Sequence, residues 1–400
     1  MQQRIKRIFS DSLYSIFGLV LMNVIVQFLV YPTWNRTLGS ALYGNILYSI
    51  SLINIVAISI GTSCSYVRMK ASASGAVANT PYLACLGCAS ALMVPFVLIL
   101  KLTGLVRLTT PETALYAVVM CLTMWRCYAD VEYRLSLNYK GFFLYYAAIG
   151  AGYLAGIALF KSTGLWPLAL LPGELAGIAL VLLKGTALRP DAPATRELCL
   201  PVWHMILVLL GSEMLSTIVF NGDRLLLQWL DSAAVTTYYL ASLLGKTVSL
   251  ITTPLNGVII GYLARYKGGI TRRLVGIIAL AALVMIAIGT VCCTIASHII
   301  IPVLYPDNYY TVKGMFFIAN LSQVIYFVAN MVTVVLIRFG KLRYNLYVNL
   351  VYMLVFCALC IPVTAIHGLS GFCVALLVTC AVRLGAALLL CLRESRESRA

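Results

Sequence analysis

Residues 201–250 read PVWHMILVLLGSEMLSTIVFNGDRLLLQWLDSAAVTTYYLASLLGKTVSL. Two long apolar stretches dominate, yet Glu213, Asp223, Arg224, Asp231 and Lys246 interrupt them. A charge at the centre of a bilayer is costly, so such residues are rare there and are kept for pairing or for function. Whether these charges pair with one another or face a ligand decides how the whole chain is read.

Outward from that stretch the rest of the sequence is equally apolar. It is 62% hydrophobic and 10% charged, with a mean hydropathy of +0.95. Soluble domains carry roughly 25% charged residues, so the composition is that of an integral membrane protein. The apolar runs do not alternate as strands would. A helix satisfies its own backbone in lipid and needs about 20 residues to cross. Twelve runs meet that requirement, near 10–38, 43–66, 82–100, 114–131, 142–160, 165–184, 202–230, 233–264, 274–297, 311–337, 345–365 and 368–391. The expected fold is therefore an all-α polytopic membrane protein of about twelve transmembrane helices.

Threading these spans with the N-terminus inside places twenty-one lysines and arginines on one face. The other face receives Arg36, Lys101, Arg107, Lys161, Arg224 and Lys313. This asymmetry predicts that both termini are cytoplasmic. It also accounts for the net charge of +16 by topology and attraction to anionic lipid, not by nucleic-acid binding. Arg4, Lys6 and Arg7 precede the first run, whose length and lack of a cleavage site predict a retained helix. Trp34, Trp125, Trp166, Trp203 and Trp229 fall near span ends, where an indole prefers the interface.

Lys184 to Leu200 is the clear break in composition, with Pro190 and Pro193 among polar residues. It predicts a first six-helix lobe over 1–184, a cytoplasmic linker over 185–200, a second lobe over 201–391 and a disordered tail over 392–400. Leu38–Gly44 is echoed by Leu230–Thr236, and Arg68-Met-Lys70 by Arg265-Tyr-Lys267, the pattern of a six-plus-six repeat. Gly152-Tyr-Leu-Ala-Gly156 and Gly173-Glu-Leu-Ala-Gly177 are near-copies whose paired glycines suit close helix approach. Asp130, Glu132 and Arg134 read as a solvated turn after the fourth span.

The sequence offers no catalytic or metal-binding constellation. Cys85-x-x-Cys88 and Cys357-x-x-Cys360 lie in apolar helices with no second ligand pair, and are packing residues on this reading. His204, His298 and His367 have no motif partner, and no Gly-rich phosphate loop follows a strand. What remains is charge within the membrane: Glu174, Glu213, Asp223, Arg224, Lys246 and Arg383, with Arg36 near the end of the first helix. Glu213 and Lys246 are at similar depth and suit a salt bridge, and Asp223 suits Arg224 or Arg36. Alternatively the cations line a cavity for an anion while a carboxylate titrates or binds Na⁺. The two readings are compatible if pairs exchange between states.

The pattern Arg36-x-Leu38-Gly39-x-x-x-Tyr43-Gly44 closes the first helix, and Asn221-x-Asp223-Arg224-Leu-Leu-Leu closes the seventh. Val235-x-x-Tyr238-Tyr239 and Pro254-Leu255 follow. Together these resemble the polysaccharide (O-antigen, Wzx-type) flippases of the multidrug/oligosaccharidyl-lipid/polysaccharide exporter superfamily. Thr236 and Asp231 depart from it at positions where glycine is usual. The resemblance implies a V-shaped pair of six-helix bundles, related by a pseudo-two-fold, around a central cationic cavity. It implies a flippase of the cytoplasmic membrane, not an enzyme, that moves a polyprenyl-diphosphate-linked oligosaccharide. Arg36, Arg224, Lys246 and Arg383 would bind the diphosphate. Glu174, Glu213 and Asp223 would couple to Na⁺ or H⁺ or pair structurally. A polysaccharide polymerase and glycosyltransferases would be its partners, with no cofactor. A drug exporter of the same superfamily would instead need an acid-dominated cavity. A lipid II flippase usually carries helices beyond twelve. A membrane polymerase or acyltransferase would need a large outer loop or a His–Asp pair.

Overall fold

The computed structural model describes residues 16–72, 78–191, 193–249, 252, 256, 270–339 and 343–397. These residues are helical almost throughout, with no strand among them. The helices, in chain order, are α1 (Ile16–Leu38), α2 (Ser40–Ser72), α3 (Thr80–Leu102), α4 (Thr110–Leu135) and α5 (Tyr139–Thr163). Next come α6 (Leu171–Lys184), α7 (Arg196–Leu227), α8 (Ser232–Thr247) and α9 (Arg272–Leu304). The series closes with α10 (Phe316–Phe339), α11 (Arg343–Val355) and α12 (Ile361–Glu397). Nine stretches among the described residues are long and apolar enough to cross a membrane. The last of these, Leu346–Arg396, is broken at Gly368 (φ 60°, ψ −145°), a backbone geometry that favours glycine. The eleventh and twelfth expected spans therefore meet there. The sixth is represented by the shorter α6, and α8 is the described part of the eighth. The start of the first span, the Pro254–Gly257 kink, the Arg265–Lys267 echo and the N-terminal basic cluster lie outside the described residues.

The chain divides into two compact units, Met1–Asn221 and Gly222–Ala400. The division falls inside α7, not at the linker expected over 185–200. The reason is that the linker and most of α7 are tied to the first unit. Asp191 accepts from the backbone N–H of Asn79 at 2.7 and 2.8 Å, and the Asn79 amide donates to the carbonyls of Thr186 and Arg189. Glu132 accepts from the N–H groups of Thr186 (2.9 Å) and Ala187 (2.7 Å). Further along, Trp203 Nε1 donates to Pro81 O at 2.8 Å, and Thr217 and Ser59 share a hydroxyl contact of 3.3 Å. The polar segment is thus a strap, and α7 begins within it. The tail also departs from expectation. Helix α12 continues to Glu397, and Ser395 is buried. Arg393, Glu394 and Arg396 are good helix formers, and extending an existing helix needs no new nucleus.

Two proline-containing spans share one distortion. A π-helical turn at Val26–Val30 precedes Pro32, and another at Phe356–Cys360 precedes Pro362. Proline has no N–H to donate, and its ring crowds the carbonyl four residues back. A wider turn just before it relieves that crowding.

The first unit is centred on aromatic rings. Tyr31 stacks on Trp34 with ring centres 5.5 Å apart, and Trp34 and Tyr116 both meet Trp166 at 5.7 Å. Trp34 and Trp166 are therefore core residues, not interfacial anchors as their positions near span ends suggested. Gly152 of α5 faces Gly173 of α6, and Gly156 faces Ala169 just before α6. A Cβ at Gly152 would lie 2.5 Å from the Gly173 Cα, and one at Gly156 would collide with the Ala169 carbonyl. Only glycine permits this approach of the two segments.

Gly156→Leu is therefore expected to destabilise the folded protein by about 1–3 kcal/mol, the usual cost of overpacking. Gly276→Leu, where a Cβ meets nothing within 4 Å, is expected to be neutral. Thermal unfolding of the two purified variants in detergent measures the difference.

Candidate functional site

The charges divide by unit into two different arrangements. In the first unit, Glu174 occupies the first turn of α6, where a carboxylate is favoured by the helix dipole. It is 2% exposed. Arg126 Nε donates to its Oε2 at 2.5 Å, and Tyr153 Oη donates to its Oε1 at 2.6 Å. Gly177, one turn further along α6, makes room for the arginine: a Cβ there would lie 3.1 Å from Arg126 Cγ. Arg126 is one of the twenty-one basic residues that the threading assigns to the cytoplasmic face, and that assignment does not reveal this partnership. The signal available was that Arg126, like Glu174, falls inside an apolar run.

Close by along α4, Asp130 is buried. It accepts from Arg134 Nη2 at 2.8 Å, from Tyr146 Oη at 3.1 Å and from Ser65 Oγ at 3.4 Å. The segment expected to be a solvated turn is therefore a buried polar joint, and Glu132 anchors the strap from the same turn.

The second unit is different. Asp223 and Arg224 are neighbours within α7 and so point in different directions, about 100° apart. Asp223 accepts from Lys246 Nζ of α8 through Oδ2, while its Oδ1 is buried with no hydrogen-bond partner. The Arg224 guanidinium lies 4.9 Å from the centre of the Tyr239 ring, also on α8. Asp223, Arg224 and Lys246 are all buried. The N–H of Gly245, beside the lysine, donates to Asn320 Oδ1 of α10 at 2.7 Å. That bond fixes α8 at the turn from which Lys246 projects. Tyr238 accepts from Gln323 Nε2 at 3.1 Å and meets the Phe372 ring edge-on at 5.0 Å.

Arg383 of α12 is 3% exposed. Its guanidinium lies 4.2 Å from the centre of the Tyr326 ring and 5.2 Å from that of Tyr352, two rings that meet each other edge-on at 5.6 Å, and Nη2 donates to Asn349 Oδ1 at 2.8 Å. The structure thus brings Asp223, Arg224, Lys246 and Arg383 into one unit. Arg36 lies in the other, exposed in the last turn of α1.

The expected salt bridge between Glu213 and Lys246 does not form. Glu213 is half-buried, makes no ion pair among the described residues, and Lys246 pairs with Asp223 instead. Residue spacing gives depth along neighbouring helices but not the face each side chain takes. Among the described residues no group of three or more His, Cys, Asp or Glu is placed to hold a metal. Of the two Cys-x-x-Cys pairs, Cys88 and Cys357 are exposed and Cys360 is buried.

No family model matches the chain, and no curated protein matches it in sequence. Solved structures do match it over nearly its whole length. The lipid II flippase MurJ, in an inward closed conformation, superposes with a TM-score of 0.75 at 10% identity, covering 97% of this chain and 90% of that one. An inward-facing multidrug resistance MATE family transporter of the MOP superfamily gives 0.69 at 12% identity, covering 96% and 99%. The Vibrio cholerae MATE transporter VcmN, in its bent form, gives 0.62 at 16%, covering 98% and 97%. The chain therefore has the fold shared by MATE transporters and MurJ.

Removing one partner of a buried ion pair strands the other charge. Glu174→Gln is expected to cost about 3 kcal/mol of stability, and Glu174→Met combined with Arg126→Met to recover most of it. Unfolding midpoints of the three proteins in one detergent measure this. Equal losses in the single and double variants would show that the stranded guanidinium is not what costs the single variant its stability.

Proposed function

We propose that this protein is a flippase that carries a polyprenyl-diphosphate-linked oligosaccharide, the repeat unit of a surface polysaccharide, across the cytoplasmic membrane by alternating access. The observation that carries this reading is the second unit's charge balance. Three buried cations, Arg224, Lys246 and Arg383, lie in its helices with one carboxylate, Asp223, among them. A diphosphate cannot cross about 30 Å of hydrocarbon bare, because losing its water costs far more than thermal energy. Guanidinium and ammonium groups replace that water with charge-assisted hydrogen bonds, arginine with a planar fork suited to phosphate. Arg36 would meet the headgroup separately, at the end of α1.

On this reading Na⁺ or H⁺ drives the cycle, with Glu213, Asp223 and Glu174 as the candidate coupling carboxylates. Glu174 is the one held by both an arginine and a tyrosine, which suits a structural role. Both termini would face the cytoplasm, where glycosyltransferases build the substrate, and a polymerase would consume it outside. An exporter of cationic drugs fits less well, because its site would need acids in excess. Lipid II transport is the second reading, supported by the similarity to MurJ.

Asp223→Asn/Lys246→Met removes the second unit's salt bridge without stranding either charge, and Arg224→Gln removes one cation. Both are expected to insert and accumulate normally and to abolish surface polysaccharide in cells that depend on this chain. Wild-type polymer at normal protein abundance would refute the reading. Rescue of cells depleted of their lipid II flippase, with no effect on surface polysaccharide, would favour the second.

A further inference from the structure

The buried cations of the second unit are not equivalent. Lys246 is matched by Asp223, whereas Arg383 has no carboxylate partner among the described residues. Its Nη2 reaches only the neutral oxygen of Asn349, and Nε and Nη1 are buried with no hydrogen-bond partner at all. Leaving donors of a charged group unsatisfied in a low-dielectric interior is costly. The two tyrosine rings offset part of that cost by cation–π attraction, but they accept no N–H bond in the guanidinium plane. Tyr326 and Tyr352, 5.6 Å apart, both lie on one side of the group, so a ligand must approach from the side they leave, where Nε and Nη1 lack partners. The missing element is a compact anion with several acceptor oxygens.

We propose that Arg383, oriented by Asn349 and backed on one side by Tyr326 and Tyr352, is an oxyanion-binding site that takes a phosphate or diphosphate group. The inference rests on the flippase reading only for the source of that group, which is either a lipid headgroup or a free inorganic anion. It ranks the cations: Arg383 is the residue open to the anion, while Lys246 is engaged by Asp223. Arginine is required here because its planar fork both rests against the rings and presents N–H groups away from them, which an ammonium cannot do.

The test uses the full-length protein in nanodiscs, with inorganic pyrophosphate as the probe and stabilisation against thermal unfolding as the readout. The wild type should be stabilised by pyrophosphate. Arg383→Gln should bind it roughly tenfold more weakly or worse, and Arg383→Lys, which keeps the charge, should fall between. Lys313→Gln, at an exposed lysine over Tyr310, should bind as the wild type does. Equal binding by wild type and Arg383→Gln overturns the proposal. If Arg383→Gln does not fold, Arg383→Lys carries the test, and unchanged binding in that variant overturns it likewise. Competition by a short-chain polyprenyl diphosphate identifies the lipid headgroup as the source, and competition by orthophosphate alone identifies a free anion. Transport is scored separately in proteoliposomes holding a lipid-linked oligosaccharide. Wild-type protein that binds pyrophosphate but moves no lipid-linked glycan sinks the flippase reading and leaves the anion site standing.

Discussion

A charged side chain removed from water has to be answered from within the protein, and this requirement organises both units. In the first, buried carboxylates are met by arginines and tyrosines together: Glu174 by Arg126 and Tyr153, Asp130 by Arg134 and Tyr146. The surrounding packing serves these contacts. The facing glycines of α5 and α6 let the two segments close to a distance no side chain would allow. That closeness puts the Tyr153 hydroxyl and the start of α6 within one hydrogen bond of each other. The missing Cβ of Gly177 leaves space for the arginine stem.

The second unit meets the same requirement less completely. One carboxylate lies among three cations, and aromatic rings fill part of the deficit: Tyr239 under Arg224, Tyr326 and Tyr352 about Arg383. Rings lower the cost of a buried cation without neutralising it. In the second unit the buried cations outnumber the one buried carboxylate among the described residues, whereas the first holds paired carboxylates and the strap that Glu132 and Asp191 hold down.

Hydropathy made the architecture legible, because a helix must be apolar for about 20 residues to cross lipid whatever its neighbours are. The helix positions, the break near Gly368 and the close glycine pairs all follow from local constraints of that kind. Partnerships were much less legible. Asp223, Arg224, Lys246 and Arg383 stand out as charges in apolar runs, but spacing pairs Glu213 with Lys246 and Asp223 with Arg224 or Arg36, whereas the structure pairs Asp223 with Lys246. Their depths are given by spacing, and their faces only by tertiary packing. Arg126 was hidden for another reason. A basic residue near the cytoplasmic end of a span satisfies the positive-inside pattern equally well when its side chain turns inward. Trp34 and Trp166 misled in the same way, since a position near a span end does not fix whether the indole meets lipid or protein.

The bond between Arg126 and Glu174 also bears on how the chain is made. Helices enter the membrane in the order of synthesis, so α4 emerges with its arginine before α6 has been translated. Glu174 joins it only when α6 follows, so one short contact in the finished protein links segments that synthesis delivers at different times.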